Sequence, residues 1–197
     1  FDGILEVRLD TMWWNSCGMT ADLIFLIGME TMFYKLIEEP DVIHKLMRFL
    51  CDEFLAKFEF VESRGLLCLN NNDMYVGTGG YGWTTELPAP GFDGKVRLCD
   101  IWGLSESQET VSISPQMFGE FIFPYQKELQ DKFGLNCYGC CEPVDLRWDY
   151  IKQIRNLRRI SVSPWSNEEL MAELLGDDYI YSRKPPSTWL ACENADE

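Results

Sequence analysis

The sequence predicts an α/β fold of the TIM (β/α)8 barrel class, present in this chain as an incomplete barrel. The first observation is an even alternation of strand and helix patterns over the last third of the chain, where three strand–helix units fit within about 55 residues. The second is that no glycine-rich dinucleotide turn is present, which disfavours an open, Rossmann-like sheet. The third is size, since 197 residues that are 46% hydrophobic suffice for a single domain over residues 1–197.

The first half of the chain is mainly helical by pattern. Alternating side chains predict a strand over 4–9, and a helical pattern then begins with Thr20 as its N-cap and is interrupted near Gly28. A long amphipathic helix follows over 41–63, where apolar residues recur at helical spacing. The short apolar run at 66–69 predicts a strand.

The second half carries the repeated units. Ser114 and the proline after it predict the start of a helix that Pro124 interrupts, and Ser166 with Glu169 forms the pattern of a capping box. Helices are expected near 146–154 and over 167–175. The predicted strands cover 96–103, 135–139, 158–163 and 178–182.

The composition narrows the classes of partner and compartment. The net charge is −15 and the sequence pI is about 4.4, which argues against nucleic acid or an anionic membrane as the main partner. No run of 18 apolar residues exists, so no membrane span is expected. The eight cysteines predict reduced thiols in a cytoplasmic protein rather than a disulfide framework. The first and last residues suggest a piece of a longer chain.

The densest cluster of reactive side chains follows the predicted strand 135–139. Cys140, Cys141 and Glu142 come at its carboxyl end, with Cys137 just before them. Thiolates are soft ligands that favour Zn²⁺, and a catalytic zinc needs three protein ligands and an open position. These three residues are therefore the predicted metal ligands, with Asp100 from the neighbouring strand end as an alternative ligand. The alternative, that the cysteines fill a tight strand end without metal, stays open.

Other candidates follow neighbouring predicted strands. Asp100 and Glu106 come at and after the end of strand 96–103, where a carboxylate would act as general base or hold a cationic substrate; a solvated loop acid is the alternative. Arg183 and Lys184 follow strand 178–182 and would bind a carboxylate or phosphate group of the substrate.

Aromatic side chains are the third group of candidates. Trp102 and Trp165, with Tyr81 from a glycine-rich loop, would form a flat wall for a planar ligand, although core packing explains them equally well. Tyr138, which lies on the same face of its strand as Cys140, is also a predicted substrate-binding residue.

Several stretches resemble the uroporphyrinogen decarboxylase superfamily, including its cobalamin-dependent methyltransferase branch. The resemblance is carried by Leu-Ile-Gly-Met-Glu at 26–30, Glu-Glu-Pro-Asp-Val-Ile-His at 38–44, Leu-Cys-Asp-Ile-Trp-Gly at 98–103, and the segment from 113 to 125. It runs across most of the chain as a mosaic without one decisive motif. It implies a TIM barrel and that this chain is its carboxyl-terminal portion.

The resemblance also implies a site. Zinc methyltransferases of this family carry a His-x-Cys pair at the end of one barrel strand, which falls here on Tyr138-Gly139-Cys140. Cys140 matches the pattern, whereas Tyr138 replaces the histidine, so that Cys141 and Glu142 would have to substitute as ligands. The porphyrinogen decarboxylases carry a small polar residue where this chain has Ile101.

The function expected from the resemblance is methyl transfer between a small molecule and a corrinoid bound to a partner protein, assisted by zinc. A cofactor-independent porphyrinogen decarboxylase and a non-catalytic, truncated barrel are the alternatives. A barrel that lacks strands exposes sheet edges, and a second copy of the chain in a homodimer would cover them.

Overall fold

The computed structural model describes residues 3–5 and 17–188, and these contain one four-stranded sheet. All neighbouring strands are parallel, and the order is β1-β2-β3-β4, so each strand pairs with the next one along the chain. This confirms the predicted α/β class and the parallel sheet. The strands are β1 (Trp102–Ser105), β2 (Leu135–Tyr138), β3 (Leu157–Val162) and β4 (Ile180–Arg183).

Seven α-helices accompany the sheet within the described residues. The predicted interruptions near Gly28 and Pro124 are both confirmed, because α1 ends and α2 begins on either side of Gly28 while Pro124 opens α5. The helices are α1 (Thr20–Ile27), α2 (Met29–Glu38), α3 (Pro40–Ser63), α4 (Pro115–Phe121), α5 (Phe123–Gln130), α6 (Trp148–Ile151) and α7 (Glu168–Leu175). None of these helices is long and apolar enough to cross a membrane.

Two predicted helix caps are wrong by one residue. The N-cap of α1 is Met19, and the Thr20 hydroxyl donates a hydrogen bond to Glu109 at 2.7 Å instead. The N-cap of α7 is Asn167, whose side chain accepts from the amide of Leu170, rather than Ser166. In both cases the hydroxyl that the sequence pattern assigns to the cap makes its hydrogen bond to a different group. Ser114, by contrast, caps α4 as predicted.

Three predicted elements differ from the structure. Residues 66–69 pair with no strand, and the helix expected near 146–154 is a 3₁₀ turn followed by the single turn of α6. Within 96–103 the backbone forms a 3₁₀ turn at Leu98–Asp100, because the Asp100 carboxylate accepts hydrogen bonds from the amide and guanidinium of Arg97. Most of the strand predicted over 4–9 lies outside the described residues.

The two faces of the sheet pack against different layers. Tyr138, Ile160 and Val162 belong to the main hydrophobic core, which also contains the buried sides of the helices. Trp102 and Leu135, which are register partners, point to the other face and form a smaller core with Val76 and Leu87. Leu104 and Cys137, two residues further along the same strands and on the same face, already belong to the main core, so the smaller core is confined to the amino-terminal end of β1 and β2.

The outer edge of β1 is closed by one side chain. The Asn70 amide accepts from the Trp102 backbone N–H at 2.8 Å and donates to the Trp102 carbonyl at 3.2 Å, so it imitates the next strand of a sheet. Both groups are buried, and leaving such groups unpaired is costly. Asn70 therefore ends the predicted strand segment while it satisfies the edge of the sheet.

We expect Asn70→Ala to lower the free energy of unfolding by about 2–4 kcal/mol, because it orphans a buried N–H and a buried carbonyl. Asn72→Ala is the matched control, since Asn72 makes a single turn hydrogen bond to the Met74 amide; it should cost about 1 kcal/mol or less. Urea unfolding of both variants measures the difference. Equal losses in the two variants would contradict the role of Asn70.

Candidate functional site

The candidate site lies at the carboxyl ends of the strands, where the loops after β1 and β2 meet. The buried Glu142 carboxyl joins these loops: one oxygen accepts from the Ser107 amide and the other from the Cys140 amide, each at 2.8 Å. Ser163, after β3, donates its hydroxyl to the Glu142 carbonyl at 3.1 Å. Three consecutive strand ends are thus tied together through one residue.

Ser107 is held from every side. Its hydroxyl lies 3.0 Å from the Tyr138 hydroxyl and accepts a hydrogen bond of 2.7 Å from the Arg147 guanidinium. The same guanidinium also donates to the backbone carbonyls of Ser107 and Thr110. The Tyr138 hydroxyl also donates to Gln126 at 2.8 Å. Burial lowers the pKa of Arg147 and raises that of Tyr138 well above its usual value. This network fixes the backbone beside Glu106.

Sequence analysis missed Arg147 and Gln126, although a signal was present. Arg147 falls among Val144, Trp148 and Ile151 on the buried stripe, and Gln126 lies on the buried side of α5. A charged or amide side chain at a core position of a helix indicates a buried partner. Tyr138, a predicted substrate-binding residue, has a fully buried side chain whose hydroxyl hydrogen-bonds to Ser107 and Gln126.

Glu106 is the titratable carboxyl best suited to proton transfer. Burial raises its pKa from 4.5 to about 7, the Gln108 amide that donates to it at 2.9 Å opposes the rise, and Glu142 and Glu109 add to it by repulsion. A side chain with a pKa near neutrality can both accept and release a proton under physiological conditions. Gly18 allows this close packing, because a Cβ there would lie 2.7 Å from a carboxyl oxygen of Glu106.

Two adjacent thiols follow β2. The Sγ atoms of Cys140 and Cys141 are 3.7 Å apart; the first is half-buried and the second is exposed. Burial raises the pKa of Cys140 to about 11, and Lys184, whose Nζ donates to the Cys140 carbonyl at 2.6 Å, opposes this rise. Cys137 is fully buried, and burial raises its pKa to about 12, so it is a core thiol.

The predicted zinc ligands are brought together only in part. Two zinc–sulfur bonds of about 2.3 Å at a tetrahedral angle place the sulfurs about 3.8 Å apart, which the two thiols match. Glu142 does not complete the set, because both its oxygens accept backbone N–H groups. Within residues 3–5 and 17–188 no three His, Cys, Asp or Glu side chains are grouped to hold a metal ion.

An apolar cleft of about 560 Å³ opens beside the exposed thiol. Cys141 and Trp165 contribute to its wall, and Trp165 is 77% exposed, so its indole face is accessible to a ligand. The remaining lining residues are Gln108, Val111 and Pro143. This cleft, with Glu106 and the thiols, is the candidate functional site. Another depression of about 580 Å³ lies along α2, lined by Met29, Glu30, Phe33, Tyr34 and Ile37, but it contains no thiol.

The structure corrects two predicted site positions. Asp100 was expected at the carboxyl end of its strand, but it precedes β1 and therefore lies at the opposite end of the sheet from Glu106, where it pairs with Arg97. Trp102 was expected in an aromatic wall but is fully buried, with its indole N–H donating to the Gly82 carbonyl at 2.9 Å. The predicted strand began too early, which shifted both residues towards the wrong edge.

The remaining predicted residues lie at the expected edge. Arg183 forms an ion pair with Glu168 at 2.8 Å, while Lys184 contacts the turn that holds the thiols. Tyr81 is the exception: it is exposed in the loop before β1, and its carbonyl accepts a hydrogen bond from Arg159 of β3. Trp165 alone of the three predicted wall aromatics borders the cleft.

Comparison with known proteins adds no identification: no family model matches the chain, and neither a curated protein nor a solved structure gives a significant match.

The raised pKa of Glu106 predicts that the folded protein becomes less stable as the pH rises towards neutrality. Because the folded state holds its proton more tightly than the unfolded chain, stability conferred below pH 4.5 is lost as the pH rises towards 7, by up to about 3 kcal/mol. Glu106→Gln should remove this dependence, whereas Glu173→Gln, on the exposed side of α7, should keep it. Unfolding free energies measured from pH 5 to 8 test this, and identical slopes for all three proteins would contradict it.

Proposed function

We propose that the four-stranded sheet is part of a (β/α)8 barrel. The support is the strand order, since four parallel strands follow one another in sequence without the reversal that marks a doubly wound sheet. In a barrel of this class, active sites form at the carboxyl ends of the strands. Glu106, the thiol pair and the apolar cleft all lie at that end.

We further propose that this site transfers a methyl group between a small molecule and a corrinoid carried by a partner protein. The observation that carries the proposal is the pair of thiols 3.7 Å apart beside an apolar cleft at the strand ends. The resemblance to the methyltransferase branch of the uroporphyrinogen decarboxylase superfamily supplies the reaction class. The cleft would admit the apolar part of a methyl donor or acceptor against Trp165.

Each described group has a role in this proposal. Glu106 accepts or returns the proton of the substrate's heteroatom, which its near-neutral pKa permits. Cys140 and Cys141 would hold zinc together with a ligand from outside the described residues, and bound zinc would act as a Lewis acid on that heteroatom. The network around Ser107 is proposed to keep Glu106 in place while protons move.

Zinc content tests the role of the thiol pair. Purified under reducing conditions with zinc supplied, the protein should hold close to one equivalent, and Cys140→Ser should lose most of it because one of two soft ligands is gone. Cys99→Ser, which replaces a partly buried thiol before β1, should retain the metal. Elemental analysis after dialysis measures both. An absence of zinc from the unaltered protein would overturn the metal-assisted proposal.

Turnover tests the role of Glu106. We expect the protein to demethylate free methylcobalamin in the presence of a suitable small thiol. The change in cobalamin absorbance measures the rate. Glu106→Gln should lower the rate by about 10²–10⁴-fold, which is the usual contribution of a general acid or base, and Glu173→Gln should leave it unchanged. Turnover of a porphyrinogen with no demethylation of methylcobalamin would instead favour the decarboxylase alternative.

A further inference from the structure

The turn after β2 holds its two thiols close enough for both to bind the same atom. The Sγ atoms of Cys140 and Cys141 are already 3.7 Å apart, and the exposed Cys141 lines the apolar cleft. Neighbouring cysteines in a chain ordinarily point to different sides of an extended backbone. Here the turn brings both sulfurs to the same side, within reach of one bridging atom.

The backbone of this turn is held on both sides of Cys140. Its amide donates to Glu142 at 2.8 Å, and its carbonyl accepts from the Lys184 ammonium at 2.6 Å. Gly139, with φ at 102°, takes a backbone conformation that favours glycine at the turn just before the two cysteines. Because the turn is ordered before any ligand arrives, little conformational entropy is lost when both sulfurs bind at once.

The cleft beside the thiols has a mainly apolar wall. Val111, Pro143 and the indole of Trp165 line the cleft together with Cys141, and none of the lining residues that the structure describes is Asp, Glu, Lys or Arg. A ligand that combines a thiophilic atom with an aromatic or aliphatic substituent would therefore be held by two kinds of interaction: bonds to sulfur and burial of apolar surface.

We propose that Cys140 and Cys141 form a binding site for thiophilic compounds of trivalent arsenic that carry an apolar substituent. An arylarsenous oxide reacts with both thiols, so that two arsenic–sulfur bonds form, the bonds from arsenic to oxygen break, and the thiol protons leave with that oxygen as water. No oxidation state changes. The aryl group lies in the cleft against Trp165. This site exists whether or not the proposed methyl transfer takes place.

Phenylarsine oxide and inorganic arsenite are the two probes, added to chelator-treated, reduced protein. Intact mass should show one phenylarsine adduct that survives excess monothiol and is removed by a dithiol. Cys140→Ser and Cys141→Ser should each abolish the adduct, because one sulfur alone gives a monodentate bond that the monothiol displaces. Cys99→Ser should retain it. Retention of the monothiol-resistant adduct in both serine variants would overturn the site.

The apolar part of the proposal has its own measurement. Phenylarsine oxide should bind at least tenfold more tightly than arsenite, and Trp165→Ala should reduce that preference by about fivefold, as expected for loss of about 1 kcal/mol of aromatic contact. Equal affinities for the two probes would contradict the cleft as a binding surface. Because Cys141 and Trp165 are exposed, their variants should keep the unfolding midpoint of the parent, which guards against a loss caused by misfolding.

The outcomes separate this proposal from methyl transfer. Arsenical capture in a protein that binds no zinc would leave the dithiol site in place and overturn the metal-assisted reaction. Zinc binding at the thiols with no capture by the chelator-treated protein would do the reverse.

Discussion

The buried carboxyl of Glu142 is the contact on which the site depends. It is fully buried among the strand ends, and it accepts hydrogen bonds from the amides of Ser107 and Cys140 at equal distances. Each of those residues neighbours a candidate group: Ser107 follows Glu106, and Cys140 carries one of the thiols. Loss of this carboxyl would leave two amides to find other partners, and the loops after β1 and β2 would no longer hold a defined spacing.

Burying that carboxyl has a cost, which the surrounding network offsets. Arg147 is also buried and hydrogen-bonds to Ser107 rather than to Glu142, so Ser107 connects the two side chains. Tyr138 and Gln126 extend the chain of hydrogen bonds into the main core. Such networks are stable only when nearly every member is satisfied, which restricts the residues tolerated at each position. The same enclosure raises the pKa of Glu106 to about 7.

Much of the fold was predictable because local chemistry decides it. The interruption at Gly28, the cap at Ser114 and the strands near 135, 158 and 180 follow from backbone preferences and side-chain period, and the structure confirms them. The strand predicted over 96–103 was misplaced, because a carboxylate bond from Asp100 to Arg97 folds its first half into a turn. Arg97 and Asp100 are only three residues apart in sequence, but the sequence does not show that they pair; the turn in the structure does.

The sequence by itself determined an acidic α/β chain with a parallel sheet and a cluster of thiols at a strand end. Tertiary structure alone decided which side chains meet there. It separates Asp100 and Trp102 from the strand ends where Glu106 and Trp165 lie, and it shows that the buried Arg147 meets Ser107, because a local pattern indicates burial but not the partner from a distant loop. It also gave the two thiols their common direction, because Glu142 and Lys184, one beside and one distant in sequence, hold the turn between them.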